Sequence, residues 1–139
     1  MSRRVFGSNS VRILSNGESS STNLDTDAKK LSGINGIQLP VTKPYAGNVH
    51  WMYAILLTDD FPMKRDAFRA ALKEKGVDTR DFFPSSADQP IIQKLYHRKE
   101  HFPVSERIAQ RGLYLPSGLA LTQAQIDYVC DAINSIATA

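Results

Sequence analysis

The segment Val77 to Pro90, VDTRDFFPSSADQP, holds the chain's most promising chemistry. Arg80 stands beside Phe82 and Phe83, ahead of a polar loop bracketed by Pro84 and Pro90. A guanidinium flanked by aromatic rings suits the grip of an anion or a sugar ring. Its planar fork donates parallel hydrogen bonds, and its flat face stacks. The same residues equally suit a bland arrangement in which Phe82 and Phe83 are core and Arg80 pairs with a carboxylate. Sequence chemistry leaves both open.

Other candidates carry less. His97 and His101 are spaced to share a metal on one helix face, but they sit in a charged HRKEH run with no third ligand nearby. Solvated histidines are the expectation, and no metal site is assigned. Asp59 and Asp60 read as turn formers with favourable charge ahead of a helix. Lys43, between Thr42 and Pro44, lacks the apolar burial or cationic neighbour that a Schiff-base lysine requires. Cys130 is the single cysteine, which excludes an internal disulfide and a cysteine metal cluster; it is expected as a buried thiol. His50 completes the histidines and has no partner pattern. There is no GxSxG, P-loop, HExxH or GxGxxG.

The elements that must position these residues follow from periodicity. LSGINGIQLP predicts a helix end, a turn and a short strand. His50 to Thr58, HWMYAILLT, predicts a strand with Trp51, Tyr53, Ile55 and Leu57 on one face and Met52, Ala54 and Leu56 on the other. Both faces are apolar, so cover is expected on both. DDFPMKRDAFRAALKEKG predicts a helix with Ala67, Phe68, Ala71 and Leu72 as its stripe, and Gly76 in the left-handed position after it. Val77 to Phe83 reads as extended. IIQKLYHRKEHF fits either a short helix or irregular structure. PVSERIAQRG predicts a short helix with Val104 and Ile108 one turn apart and Gly112 as its stop. GLYLP then looks strand-like. Thr122 and Gln125 match a capping box, Leu121 and Ile126 a hydrophobic staple. Ile126, Val129, Cys130, Ile133 and Ala137 share one face of a final long helix. Together these predict an α+β fold: a small, mostly antiparallel sheet with helices packed on one face.

At 139 residues the chain suits one domain, and 42% hydrophobic residues suffice for its core. Residues 1–28, rich in Ser, Asn, Thr and Asp, read as a disordered leader, with Val11 to Leu14 as a possible strand fragment. The leader has no apolar stretch for a secretory signal; its Arg and Ser content without acid before Glu18 gives a weaker likeness to an organelle transit peptide. The longest apolar run, Ala54 to Leu57, is too short for a membrane span. A net charge of +3 without a basic stripe argues against a nucleic-acid partner. Cysteine usage suits a cytoplasmic location.

Three blocks occur in order: LSGINGIQLPVTKPYAGNVHWMYAI, KGVDTRDFFPSSADQP and FPVSERIAQRGLYLPSGLALTQAQIDYV. Together they closely resemble the C-terminal small domain of the DegT/DnrJ/StrS-type, pyridoxal-phosphate-dependent sugar aminotransferases. The resemblance covers about Lys29 to Ser135, so residues 29–139 are taken as that domain and residues 1–28 match nothing in the family.

The resemblance implies amino transfer to a nucleotide-linked keto-sugar, with pyridoxal phosphate as the family's cofactor. It also implies that the cofactor's lysine and phosphate cup belong to a large domain with no counterpart in these residues. No catalytic or cofactor-binding residue is therefore assigned here, and no cofactor is expected for this chain alone. Arg80, Phe82 and Phe83 are expected on the rim of the sugar-nucleotide pocket. Ser117, in the LPSG corner, is a further rim candidate. Ala87 stands where many members carry a histidine, which puts that polar contact in doubt. Two readings follow. The first is the C-terminal portion of an aminotransferase, from a truncated or split frame, poorly soluble or oligomeric alone. The second is a stand-alone, non-catalytic module that binds a nucleotide sugar or an intact aminotransferase.

Overall fold

The computed structural model describes residues 29–46, 52–96, 101–118 and 120–138. The expected leader, the Val11 to Leu14 fragment, His50, Trp51 and His97 lie outside the described residues. A helical turn at residues 29–31 leads into β1 (Ile37–Gln38) and β2 (Tyr53–Leu57). Then come α1 (Arg65–Glu74), β3 (Arg80–Asp81), a 3-10 turn (Ser86–Asp88), α2 (Pro90–Tyr96), α3 (Pro103–Arg111), β4 (Gly112–Leu115) and α4 (Gln123–Ala137). The strands form one sheet in the order β1-β2-β4-β3, and every neighbouring pair is antiparallel. The α+β architecture is the one the sequence predicts.

Strand alternation divides the sheet into two unlike faces. Tyr53, Ile55 and Leu57 of β2, with Leu113 and Leu115 of β4, are buried on the inner face. They join Phe68 and Leu72 of α1 and Val129, Cys130, Ile133 and Ile136 of α4 in one core. Ala54 and Leu56, on the other face of β2, are only half-buried. The expected stripe of α1 holds at Phe68 and Leu72; Ala71 is half-buried and Ala67 is exposed, one position too far round the helix.

Local signals fix the helix ends. After α1 the Gly76 N–H donates to the Lys73 carbonyl at 2.9 Å and the Val77 N–H to the Leu72 carbonyl at 2.9 Å. That is a Schellman closure, and it requires the left-handed φ of 78° that Gly76 adopts. At the start of α4 the Thr122 N–H donates to Gln125 Oε1 at 2.9 Å, and the Gln125 N–H donates to Thr122 Oγ1 at 3.3 Å. The predicted capping box is therefore present. Tyr128 ties α4 to the end of α1 by donating its hydroxyl to the Lys75 carbonyl at 2.6 Å.

The ambiguous segment after Pro90 is helical through Tyr96, but α2 and α3 bury no residue. Val104 is 63% exposed and Ile108 only half-buried. The apolar pair expected to seat α3 therefore finds no core here. Polar contacts hold α3 at its C-terminal end instead: Arg65 donates to the Ala109 carbonyl at 2.8 Å, and Arg111 pairs with Asp59.

Candidate functional site

The pairing of β3 with β4 sets Arg80 opposite Tyr114 and Asp81 opposite Leu113. Directly opposed residues share a face. Asp81 therefore joins Leu113 on the inner side, and its carboxylate accepts from Arg69 Nη1 of α1 at 2.9 and 3.0 Å. Arg80 joins Tyr114 and Ala54 on the outer side. The carboxylate pairing weighed for Arg80 in the sequence belongs instead to its neighbour Asp81. Among the described residues, the exposed Arg80 side chain has no hydrogen-bond or ion-pair partner.

Phe82 continues the outer face. Its N–H donates to the Gly112 carbonyl at 3.3 Å, and its ring lies where a side chain on residue 112 would stand. A Cβ there would come within 2.8 Å of Phe82 Cβ and Cδ2. Phe82 stacks on Tyr114 with ring centroids 4.8 Å apart and planes 20° from parallel. Phe83 meets Tyr114 edge-on at 5.8 Å and leaves 63% of itself in solvent. The two phenylalanines thus divide: Phe82 packs and Phe83 is presented. Tyr114 is 8% exposed. Burial pushes its phenol above the usual tyrosine value, and the nearby Phe83 backbone offsets part of that.

Of the four expected rim residues, three gather round Tyr114. Ser117 does not join them. Its Oγ accepts the Tyr53 N–H at 3.2 Å and so closes the start of β2, a structural corner. Ala87, in the 3-10 turn, is half-buried and its carbonyl accepts from Gln93 Nε2 at 3.0 Å. Tyr114 itself is the residue sequence reasoning passed over. Its signal was the period of two in LYL, which sends Tyr114 to the face opposite Leu113 and Leu115.

The remaining polar candidates stand apart. His101 Nδ1 lies 2.9 Å from Glu106, whose carboxylate also accepts the Phe102 N–H at the start of α3. Lys43 is exposed, and so are Lys29, Lys30, Lys64, Lys73, Lys75 and Lys94. Lys30 pairs with Asp127 at 2.7 Å, which holds its pKa above the usual lysine value. A lysine that forms an imine with a cofactor needs the opposite shift, from desolvation or a cationic neighbour. The described lysines therefore do not fit a pyridoxal phosphate site. An open groove of about 420 Å³ borders the turn Ser32 to Ile37 with Thr58 and Asp60; it shares no residue with the Tyr114 cluster. Among the described residues, no helix is long and apolar enough to cross a membrane.

Comparison with known proteins gives a consistent picture. The profile of the DegT/DnrJ/EryC1/StrS aminotransferase family matches residues 15–134, so it begins within the segment 1–28 in which the sequence showed no likeness to the family. GDP-perosamine synthase of Vibrio cholerae is 29% identical over 106 residues, which are 75% of this chain and 29% of that protein. The crystal structure of S. venezuelae DesV in complex with a ketimine intermediate superposes with a TM-score of 0.77 at 27% identity, over 87% of this chain and 32% of DesV. DesI, solved in the presence of its TDP-sugar product, shares the fold with a TM-score of 0.76 at 24% identity, over 87% of this chain and 31% of DesI. The chain thus spans about a third of the length of the relatives it matches.

Proposed function

This chain belongs to the DegT/DnrJ/EryC1/StrS aminotransferase family, and we propose that residues 29–139 form the small-domain wall of a nucleotide-sugar aminotransferase pocket. The outer sheet face carries that wall. Arg80 offers an unpaired guanidinium for a diphosphate, and the exposed ring of Phe83 offers a stacking surface for a base or sugar. The one observation that supports this most directly is Arg80 itself. Its guanidinium is free of protein partners among the described residues, while its neighbour Asp81 takes the available inner-face arginine. The name of the Vibrio cholerae relative, a GDP-linked sugar synthase, supports a nucleotide sugar as ligand.

In this reading the keto-sugar is aminated with pyridoxal phosphate held by a lysine-bearing domain outside these residues. The chain alone is then inactive. Mixing purified protein with pyridoxal phosphate and then borohydride tests this. The expected result is no protein-bound cofactor absorption and no modified lysine. Fixation on Lys43 or any other lysine refutes the assignment of the cofactor to another domain.

The exposed apolar side chains of the connection from β3 to β4 favour a second reading, a non-catalytic module that docks to an intact aminotransferase. Co-migration with such an enzyme in size-exclusion chromatography separates the two. A stable complex that leaves the partner's own activity unchanged supports the module.

A further inference from the structure

Tyr114 is the residue around which the outer face is organised. It is the cross-strand partner of Arg80 on one side and of Ala54 on the other. Its ring is the surface on which Phe82 lies, and it also meets the edge of Phe83. Gly112 completes the arrangement: the absence of a side chain there lets the Phe82 ring settle over the backbone of β4. Gly112, Phe82 and Tyr114 thus form a lock that joins β3 to β4 on the outer face. β3 has only two residues, Arg80 and Asp81. So short a strand cannot fix the direction of an exposed arginine through its ladder alone.

We propose that Tyr114 is a positioning residue for nucleotide-sugar binding: by clamping Phe82 over Gly112 it fixes how Arg80 and Phe83 are presented to the ligand. The proposal rests on the pocket reading above and adds to it a residue that touches the ligand only through others. The stack itself adds about 0.5–1.5 kcal/mol beyond the area it buries. Tyr114 is only 8% exposed, so circular dichroism first establishes which variants fold.

Calorimetric titration of the full chain with GDP-mannose and with dTDP-glucose tests the assignment, using wild type, Tyr114→Phe, Tyr114→Val and Phe82→Leu. Tyr114→Phe keeps the stack and binds within about threefold of wild type, whereas Tyr114→Val and Phe82→Leu each bind about tenfold more weakly. Aromatic proton spectra report the clamp directly: the ring-current shifts of Phe82 persist in Tyr114→Phe and collapse in Tyr114→Val. Phe82→Leu opens the lock from the other side and decides the matter if Tyr114→Val does not fold. Full affinity in either folded variant that lacks the stack overturns the proposal and leaves the pocket reading standing. No heat from wild type with either sugar overturns both.

Discussion

Helix α4 and the connection from β3 to β4 are built from the same chain in opposite ways. α4 has 15 residues, a complete capping box and six buried side chains. The connection carries α2 and α3, seven and nine residues long, and neither buries any side chain. Six of the nine large hydrophobic residues exposed among the described residues belong to that connection: Phe83, Ile91, Leu95, Tyr96, Phe102 and Val104. Short helices are marginal without packing. α4 is therefore stabilised by this domain, whereas α2 and α3 present apolar side chains that stay exposed among the described residues. The difference separates what the fold needs for itself from what it offers to something else.

The sharpest way to break that contrast is to truncate one apolar residue on each side of it. Ile133 is fully buried and Leu95 is 63% exposed. Ile133→Ala should cost about 2–5 kcal/mol, through lost transfer energy and the cavity left behind. Leu95→Ala should stay within about 0.5 kcal/mol of wild type. Thermal and urea unfolding followed by circular dichroism measure both. A large loss at Leu95 means that α2 has a core of its own, and the contrast fails.

Next in size is the cap. Thr122→Ala removes the acceptor for the Gln125 N–H and the hydroxyl that donates to Gln125 Oε1, while the backbone N–H of residue 122 keeps its bond to that oxygen. About 1 kcal/mol of destabilisation is expected, with little change in the slope of unfolding against urea. A larger loss would mean that the loop before α4 depends on Thr122 as well.

This contrast also explains what the sequence made legible. Thr122 and Gln125 act three residues apart, and Ile126, Val129, Cys130 and Ile133 follow a helical period, so α4 could be read locally. Gly76 and the end of α1 were legible for the same reason. Tyr114 was not. Its role depends on meeting Arg80 and Phe82 across β3 and β4, and no local pattern encodes that register. Phe82 and Phe83 were adjacent and equivalent in sequence; only strand alternation and the space above Gly112 assign one to packing and the other to solvent. Val104 and Ile108 show the converse. Their spacing was read correctly as a helix, but among the described residues Val104 stays exposed and Ile108 is only half-buried.

A smaller effect on stability, with a different readout, comes from charging the exposed stripe. Ile91 and Leu95 lie one turn apart on α2 and are 58% and 63% exposed. Ile91→Glu with Leu95→Glu should leave the unfolding midpoint nearly unchanged while reducing the binding of a hydrophobic dye and any self-association. A clean wild-type monomer that binds no dye would remove the premise, because the connection would then expose no usable apolar surface.

The smallest expected effect lies on the α4 side, where the first described turn is tied to the last helix. Lys30 Nζ donates to Asp127 Oδ1 at 2.7 Å, and Gln123 Nε2 donates to the same oxygen at 2.9 Å. The hydrogen bond from Lys30, followed by that from Gln123, holds the Asp127 carboxyl below its ordinary value of 3.8. The Asp127 bond likewise holds Lys30 above 10.5. A lowered carboxylate pKa stabilises the fold at pH above 3.8, and that contribution fades as pH falls through the folded value. A raised lysine pKa stabilises below 10.5, and its contribution fades as pH rises through the folded value. The pair therefore acts between those limits. Both side chains are 39% exposed, so solvent and salt screen it. Asp127→Asn keeps an oxygen for Gln123 and removes the charge. Its unfolding midpoint should fall slightly below wild type at neutral pH, converge with wild type in strong acid, and converge again in high salt. A gap that persists in acid would assign the contact to hydrogen bonding alone, and the link from residues 29–31 to α4 would then owe nothing to charge.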